Sequence, residues 1–269
     1  MYNLTQVAES AFPNDTYVLD LHRTADGLVS ISSDQHLCQY SLDLSQGPLR
    51  RLTTNHENLT QVKVVGHSSI VCTAGTNGTT AIWDLRKDVA KVAQFVSADA
   101  PILSLACDGT ANSIAVGTEL EEGKHQVSIS IWDVRGNTPS KLQQYVEVHS
   151  DDITELKFHP AQPNLLLSGS TDGLVNVCDT NIADEDEVIV QTFNHDASIH
   201  HAGFLSLSDA FALSHDERFA VYSLAEEHTT GTAVVDYGDL RPKLECQYVA
   251  NITIKTDGSG AIIGAGAHE

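Results

Sequence analysis

Lysine and arginine are scarce in this chain. Its 269 residues carry 15 of them against 36 aspartates and glutamates, a formal charge of −21. So few cations cannot neutralise a phosphate backbone, and direct nucleic-acid binding is not expected. No apolar run approaches the roughly 20 residues of a membrane span. The first ten residues, MYNLTQVAES, carry neither a basic stretch nor an apolar one, so a secretory leader is not expected there. The expected location is intracellular, nuclear and/or cytoplasmic. Cysteines number five (Cys38, Cys72, Cys107, Cys178 and Cys246), widely spread and without a C-x-x-C pair. Four of them sit in apolar or alternating runs, where a free thiol acts as a small hydrophobe, so disulfides and zinc are not expected.

Catalytic signatures are lacking too. There is no G-x-S-x-G, no P-loop, no H-E-x-x-H and no pair of carboxylates in a setting that perturbs acidity. No catalytic residue, cofactor or small-molecule substrate is therefore expected. The 13 histidines invite a metal reading, with His195, His200 and His201 closest in sequence. Adjacent strand residues face opposite sides, so His200 and His201 are not expected to share a site.

What is present is a repeated pattern of short strands. Between His149 and Asp179 runs HSDDITELKFHPAQPNLLLSGSTDGLVNVCD, in which three apolar runs are separated by Pro-, Asn-, Asp- and Gly-containing turns. The residue closing the third run marks the repeat. Closing residues fall at Tyr40, Trp83, Trp132, Cys178 and Tyr222, at intervals of 43, 49, 46 and 44. A period near 45 with four short strands per unit is the signature of propeller blades. The apolar content of 41% suffices for one large all-β domain.

IWDLR at 82–86 and IWDVR at 131–135 resemble the closing motif of WD repeats, and 149–179 resembles a whole repeat. The resemblance implies a WD-repeat β-propeller, with about five complete blades and the start of a sixth. It also implies a hydrogen-bond relay in each blade. An opening His, a Ser or Thr in the second strand, an Asp in the following turn and the closing Trp satisfy one another. Spaced accordingly, blade 1 offers Ser30, Asp34 and Tyr40. Blade 2 offers His56, Thr73, Asn77 and Trp83, with Asn in place of Asp. Blade 3 keeps Trp132 but replaces its turn by an insertion at 119–126. Blade 4 offers His149, Ser168, Asp172 and Cys178, without the indole. Blade 5 offers His195, Ala212, Asp216 and Tyr222. No blade is expected to keep all four partners, so the propeller is expected to rest on apolar packing.

An outer strand is expected at 4–8, a first inner strand at 17–21 and an outer strand at 232–237. A sixth blade is expected at 248–254 and 261–267, joined by a turn at 257–260. The whole of 1–269 reads as a single propeller domain, incomplete toward the C-terminus. Seven blades at about 45 residues need roughly 310, so a shortened seven-bladed ring is the expectation. The stretch 149–187, together with HDERFAVYSL and GAIIGAGAHE, is similar to the WD repeat-containing protein 89 family. That resemblance implies a fold more firmly than a mechanism.

Two features bear on partners. Arg86 and Arg135 close W-D-x-R motifs in consecutive blades, resembling the box by which WD substrate receptors of cullin-4 ubiquitin ligases dock onto their adaptor. The full box also carries an acidic turn residue, which Asn77 and the blade 3 insertion replace. Asp184, Glu185, Asp186 and Glu187 form an acidic connection, and Glu119, Glu121 and Glu122 a second; both are expected to be solvated and mobile. These point to a non-catalytic protein scaffold, either a ligase substrate receptor or an acidic chaperone for a basic client such as a ribosomal protein or histone.

Overall fold

The computed structural model describes residues 9, 12, 15–66, 68–136, 138–225, 230–255 and 260–267. The strand expected at 4–8 and most of the turn expected at 257–260 lie outside the described residues.

Five four-stranded antiparallel sheets and one two-stranded sheet follow one another along the chain, each a simple meander. Blade 1 contains β1 (Val18–Arg23), β2 (Leu28–Ser32), β3 (His36–Tyr40) and β4 (Arg50–Thr53). Blade 2 contains β5 (Leu59–Val64), β6 (Ile70–Gly75), β7 (Thr79–Asp84) and β8 (Lys91–Val96). Blade 3 contains β9 (Ile102–Asp108), β10 (Ser113–Thr118), β11 (Ile129–Asp133) and β12 (Ser140–Tyr145). Blade 4 contains β13 (Ile153–Phe158), β14 (Leu165–Ser170) and β15 (Leu174–Asp179), then the one-turn helix α1 (Glu185–Val188) and β16 (Ile189–Asn194). Blade 5 contains β17 (Ile199–Phe204), β18 (Asp209–Ser214), β19 (Arg218–Ser223) and β20 (Val235–Asp239), followed by α2 (Arg241–Leu244). The last sheet pairs β21 (Tyr248–Ile254) with β22 (Ala261–Gly266). The outer strand expected at 232–237 thus begins later, because Asp239 is the partner of Arg218.

Each sheet must be covered on both faces, which explains the composition of the second strands. In β10, β14 and β18 every residue after the first is buried, so they read as continuous apolar or small runs rather than alternating ones. Small residues let the next blade come close. A Cβ at Gly117 would sit 2.6 Å from the Ile153 side chain, and one at Gly169 would sit 2.9 Å from that of Ile199. The buried apolar residues divide into five clusters, one at each seam between successive blades. At the seam of blades 3 and 4, for example, Ile129, Ile131 and Tyr145 meet Leu156, Leu166 and Cys178. Burial pushes the Cys178 thiol up to about 12, in keeping with a hydrophobe's role, and all five cysteines are free.

The innermost strands β1, β5, β9, β13 and β17 lie side by side around a central channel. Every innermost strand, β21 included, carries a register shift near its start, at Leu19, Thr60, Leu103, Thr154, His200 and Ala250. A β-bulge adds one residue and re-aims those after it. Beyond the bulge, two layers of residues line the channel. The first contains Asp20, Gln61, Glu155, His201 and Asn251; the second contains His22, Lys63, Lys157, Gly203 and Thr253.

The bulge also overturns the expectation for His200 and His201. Their rings stack, with centroids 4.1 Å apart, and His215 stacks on His200 at 4.9 Å. Alternation fails because the extra residue breaks the pleat at that point. No group of three or more His, Cys, Asp or Glu side chains with metal-binding geometry occurs among the described residues.

Candidate interaction surfaces and the relay behind them

In a meander of four strands, successive connections alternate between the two ends. The connections after the first and third strands share one face of the ring, here the inner-turn face. Those after the second and fourth share the opposite face, here the crossover face.

Blade 2 contains the most extended relay. Trp83 Nε1 donates to Thr73 Oγ1 at 2.9 Å, and Thr73 Oγ1 lies 2.8 Å from His56 Nε2. His56 Nδ1 lies 2.8 Å from Thr79 Oγ1, which donates to Asn77 Oδ1 at 2.7 Å. One proton arrangement satisfies all four bonds: a neutral His56 donates from Nδ1 and accepts at Nε2. Burial lowers the His56 pKa to about 4, which favours that neutral ring. His56, Thr73, Asn77 and Trp83 therefore all connect in blade 2, with Asn in the place expected for Asp. Asn is tolerated because its Oδ1 accepts as a carboxylate oxygen would, here from the Thr79 hydroxyl that stands between it and His56.

The other blades diverge. In blade 4, His149 contacts Asp172 Oδ2 at 2.9 Å and Ser168 Oγ at 2.8 Å, and Asp172 also accepts from the Ser150 and Leu174 N–H groups. Burial raises the Asp172 pKa, but these bonds outweigh it and the net shift is downward. In blade 5, His195 Nε2 donates to the Arg218 carbonyl at 3.1 Å and Nδ1 faces the Tyr222 hydroxyl at 2.9 Å. Asp216 is exposed and takes no part, correcting its assignment to the relay: the phenol supplies the partner the carboxylate was expected to provide. Trp132 is likewise outside any relay, its indole donating to the Ser97 carbonyl in the connection that enters its blade. In blade 1, Asp34 accepts from Ser32 and pairs with Arg51 and His36, without Ser30.

The two W-D-x-R arginines turn back on their own motifs. Arg86 donates from Nε to Asp84 Oδ1 at 2.8 Å and from Nη2 to Oδ2 at 3.0 Å. Arg135 forms the same fork with Asp133, from Nε to Oδ1 and from Nη2 to Oδ2. The Arg86 bonds hold the Asp84 carboxyl down to about 2, and Arg135 does the same for Asp133. Arg50 of blade 1 then ties down the turn around Arg86, donating to the Leu85, Lys87 and Asp88 carbonyls. A third such fork joins Arg241 to Asp239 at the end of β20, without a Trp. The Asp-x-Arg clamp is thus a turn-closing device. The Arg86 and Arg135 side chains nevertheless remain 66% and 68% exposed, on one face in adjacent blades.

The acidic connection of blade 4 is ordered, not a loose loop. Asp184 caps α1 through the Asp186 N–H. Glu185 accepts from the Val146 and Glu147 N–H groups at 2.8 and 3.0 Å, fixing α1 to the rim of blade 3. Asp186 and Glu187 remain exposed. The insertion at 119–126 is also anchored: Leu120 N–H donates to Asp152, and Lys124 pairs with Glu121.

Comparisons with known proteins agree with this geometry. The WD domain, G-beta repeat model matches residues 140–179. An uncharacterized WD repeat-containing protein of Schizosaccharomyces pombe is 31% identical over 255 residues, 91% of this chain and 75% of that protein. The chain belongs to the WD-repeat family. An uncharacterized WD repeat-containing protein of Saccharomyces cerevisiae is 31% identical over 262 residues, covering 94% of this WD-repeat chain and 64% of the relative. A WD repeat-containing protein 89 homolog of Dictyostelium discoideum is 28% identical over 86% of this chain and 60% of its own length, in line with the resemblance to that family. The chain therefore spans less than two thirds of the latter two relatives. A chain of a mitotic checkpoint complex crystal structure superposes with a TM-score of 0.67 at 16% identity, over 84% of this chain and 66% of that one, which shows the fold alone.

The sequence reading of this WD-repeat protein missed the channel side chains. Glu155 and Lys157 alternate with apolar neighbours in ITELKF, and that period-2 polarity was the available signal. Glu155 is buried, yet its pKa is lowered to about 2: burial raises it, while Lys157, at 3.3 Å, and His201, at 3.1 Å, outweigh that.

Thr73→Val removes the partner of both His56 and Trp83 and is expected to cost about 2–3 kcal/mol in urea unfolding. Ser130→Ala removes a buried hydroxyl that has no hydrogen-bond partner, so stability should stay level or rise by up to about 1 kcal/mol. Equal losses would contradict the relay. The second prediction concerns pH. His56 and His200 each take a proton near 6.5 in the unfolded chain but only near pH 4 in the fold. Unfolding is therefore favoured as pH falls from 6.5 to 4, and the penalty is constant below that. Glu155 continues the loss from its unfolded value of 4.5 down to about 2. NMR titration of the two rings should give midpoints near 4, with unfolding midpoints falling over the same window.

Proposed function

We propose that this WD-repeat protein is a non-catalytic scaffold that holds a basic segment of a partner protein on its crossover face. The observation that carries this reading is the one-sided charge of that face in blades 3 and 4. Glu119, Glu122, Glu147, Asp151, Asp152 and Asp196 all lie in its connections and reach solvent, and the cation among them, Lys124, is already paired. Rigid meanders hold these connections in fixed relation, and a rigid anionic surface recognises a Lys- and Arg-rich segment with little ordering cost. A histone or ribosomal protein has the required chemistry, which places the work in the nucleus or cytoplasm. The test is binding of a Lys/Arg-rich peptide. Affinity should fall at least tenfold between about 50 and 300 mM salt. It should also fall when Glu119, Glu122, Asp151 and Asp196 are changed to their amides, and hold when Asp186 and Glu187 at the rim are. Salt-independent binding, or equal loss from the rim changes, would defeat the reading.

A second reading, substrate reception for a cullin-4 ubiquitin ligase, is favoured by the exposed Arg86 and Arg135 in adjacent blades. Each guanidinium spends Nε and Nη2 on its own Asp and keeps its remaining edge for a partner carbonyl or carboxylate. Co-purification with the ligase adaptor should then be lost on Arg86→Ala with Arg135→Ala, and adaptor recovery unchanged by that pair would exclude it.

A further inference from the structure

A cavity of about 660 Å³ opens at the inner-turn end of the central channel. Strands β1, β5, β9 and β13 supply most of its wall, so it belongs to blades 1–4 and does not involve β21 or β22. Its volume falls in the range of small-ligand sites. The chemistry of the wall is unlike that of the rest of the molecule. His22, Arg23, Lys63 and Lys157 line it, and no Asp or Glu does. In a chain with 36 acidic and 15 basic residues, convergence of three Lys or Arg with no carboxylate runs against composition.

The layering of the channel explains the arrangement. Carboxylates occupy the layer after the bulge and cations the layer beyond it, two residues nearer the inner-turn mouth. Lys63 Nζ meets Asp20 Oδ2 at 3.1 Å and lies 3.4 Å from His22 Nε2, and Lys157 Nζ meets Glu155 Oε1 at 3.3 Å. Each lysine is thereby held by the carboxylate below it, which orients the ammonium and leaves other protons for a ligand. The side chain of Arg23, one residue further on, is exposed and makes no hydrogen bond or ion pair among the described residues. It adds an uncompensated charge and five donors at the mouth.

We propose that this mouth is a binding site for a small polyanion carrying clustered phosphate groups. Cations on three separate strands, Arg23, Lys63 and Lys157, surround the cavity, so a ligand with several charges can reach more than one at a time. Arginine and lysine supply the fork and point-charge contacts that phosphate oxygens accept. The site lies at the end of the channel opposite the acidic crossover face and is independent of the partner proposed there.

The experiment is calorimetric titration of the whole chain with inorganic tripolyphosphate, with citrate as the carboxylate comparison. Saturable binding of tripolyphosphate is expected, tighter than that of citrate. Arg23→Gln, which breaks no contact in the fold, should weaken it at least fivefold. Lys157→Gln should weaken it too, while Arg86→Gln, outside the channel, should leave it unchanged. Absence of saturable binding overturns the site, as does binding that Arg23→Gln does not affect. Citrate binding as tight as tripolyphosphate overturns the phosphate assignment.

Discussion

The structure depends on one constraint: a sheet that is apolar on both faces has no stable existence until neighbouring sheets cover it. Five seams meet that need, each with its own cluster of buried side chains. Magnitudes rank this above the hydrogen-bond relays. Fully burying one large aliphatic or aromatic side chain contributes about 1.5–3 kcal/mol, and each seam buries several. A relay bond contributes about 1 kcal/mol net. The relays can therefore erode from blade to blade, as they do here, while the seams cannot. What the blade 2 relay adds is a fixed geometry for groups that would otherwise be buried without partners. Stability is then carried between neighbours rather than by a common centre, the behaviour of repeat architectures.

The second determinant is the bulge at the head of every innermost strand. One extra residue re-aims the side chains that follow, so that alternate positions point into the channel in two layers. Those positions happen to sort by charge, Asp20 and Glu155 in one layer and Lys63 and Lys157 in the next. Burial alone would drive Glu155 toward its neutral form. It stays ionised because Lys157 and His201 both reach it. A channel assembled this way is polar and ordered, with each buried carboxylate answered by a cation from its own or an adjacent strand.

How much of this was legible in the sequence follows from the same physics. The closing residues Tyr40, Trp83, Trp132, Cys178 and Tyr222 each end the third strand of a blade or lie within a residue or two of its end, because inter-blade packing demands a bulky or apolar group there at a regular interval. Turn chemistry placed β21 at its observed bounds. The bulges were not legible: Leu19, Thr60, Leu103, Thr154, His200 and Ala250 share no side-chain type, since the constraint acts on the backbone. The argument that His200 and His201 face opposite ways failed for that reason. Relay membership was legible only where the residue types were conventional. Thr79 bridging to Asn77, and the Tyr222 hydroxyl standing in for Asp216, are substitutions of geometry that spacing does not reveal. The acidic stretch at Asp184 to Glu187 looked like solvated charge because nothing local disclosed that Glu185 would meet the Val146 and Glu147 N–H groups.

A strongly acidic protein with a cationic channel mouth looks contradictory until distance is considered. An innermost strand of six residues spans about 20 Å, while charges in physiological salt are screened over about 8 Å. The crossover face and the inner-turn mouth are therefore separated by more than two screening lengths, and each presents its own field to an approaching partner. The overall charge of −21 governs solubility and the long-range encounter with basic proteins, and the mouth is governed by the few groups within reach of it. Arg23 is decisive there because its neighbours are already paired. Removing a paired lysine would leave Asp20 or Glu155 in the channel without its partner, at a cost to the fold. Removing Arg23 changes the field of the mouth and nothing behind it.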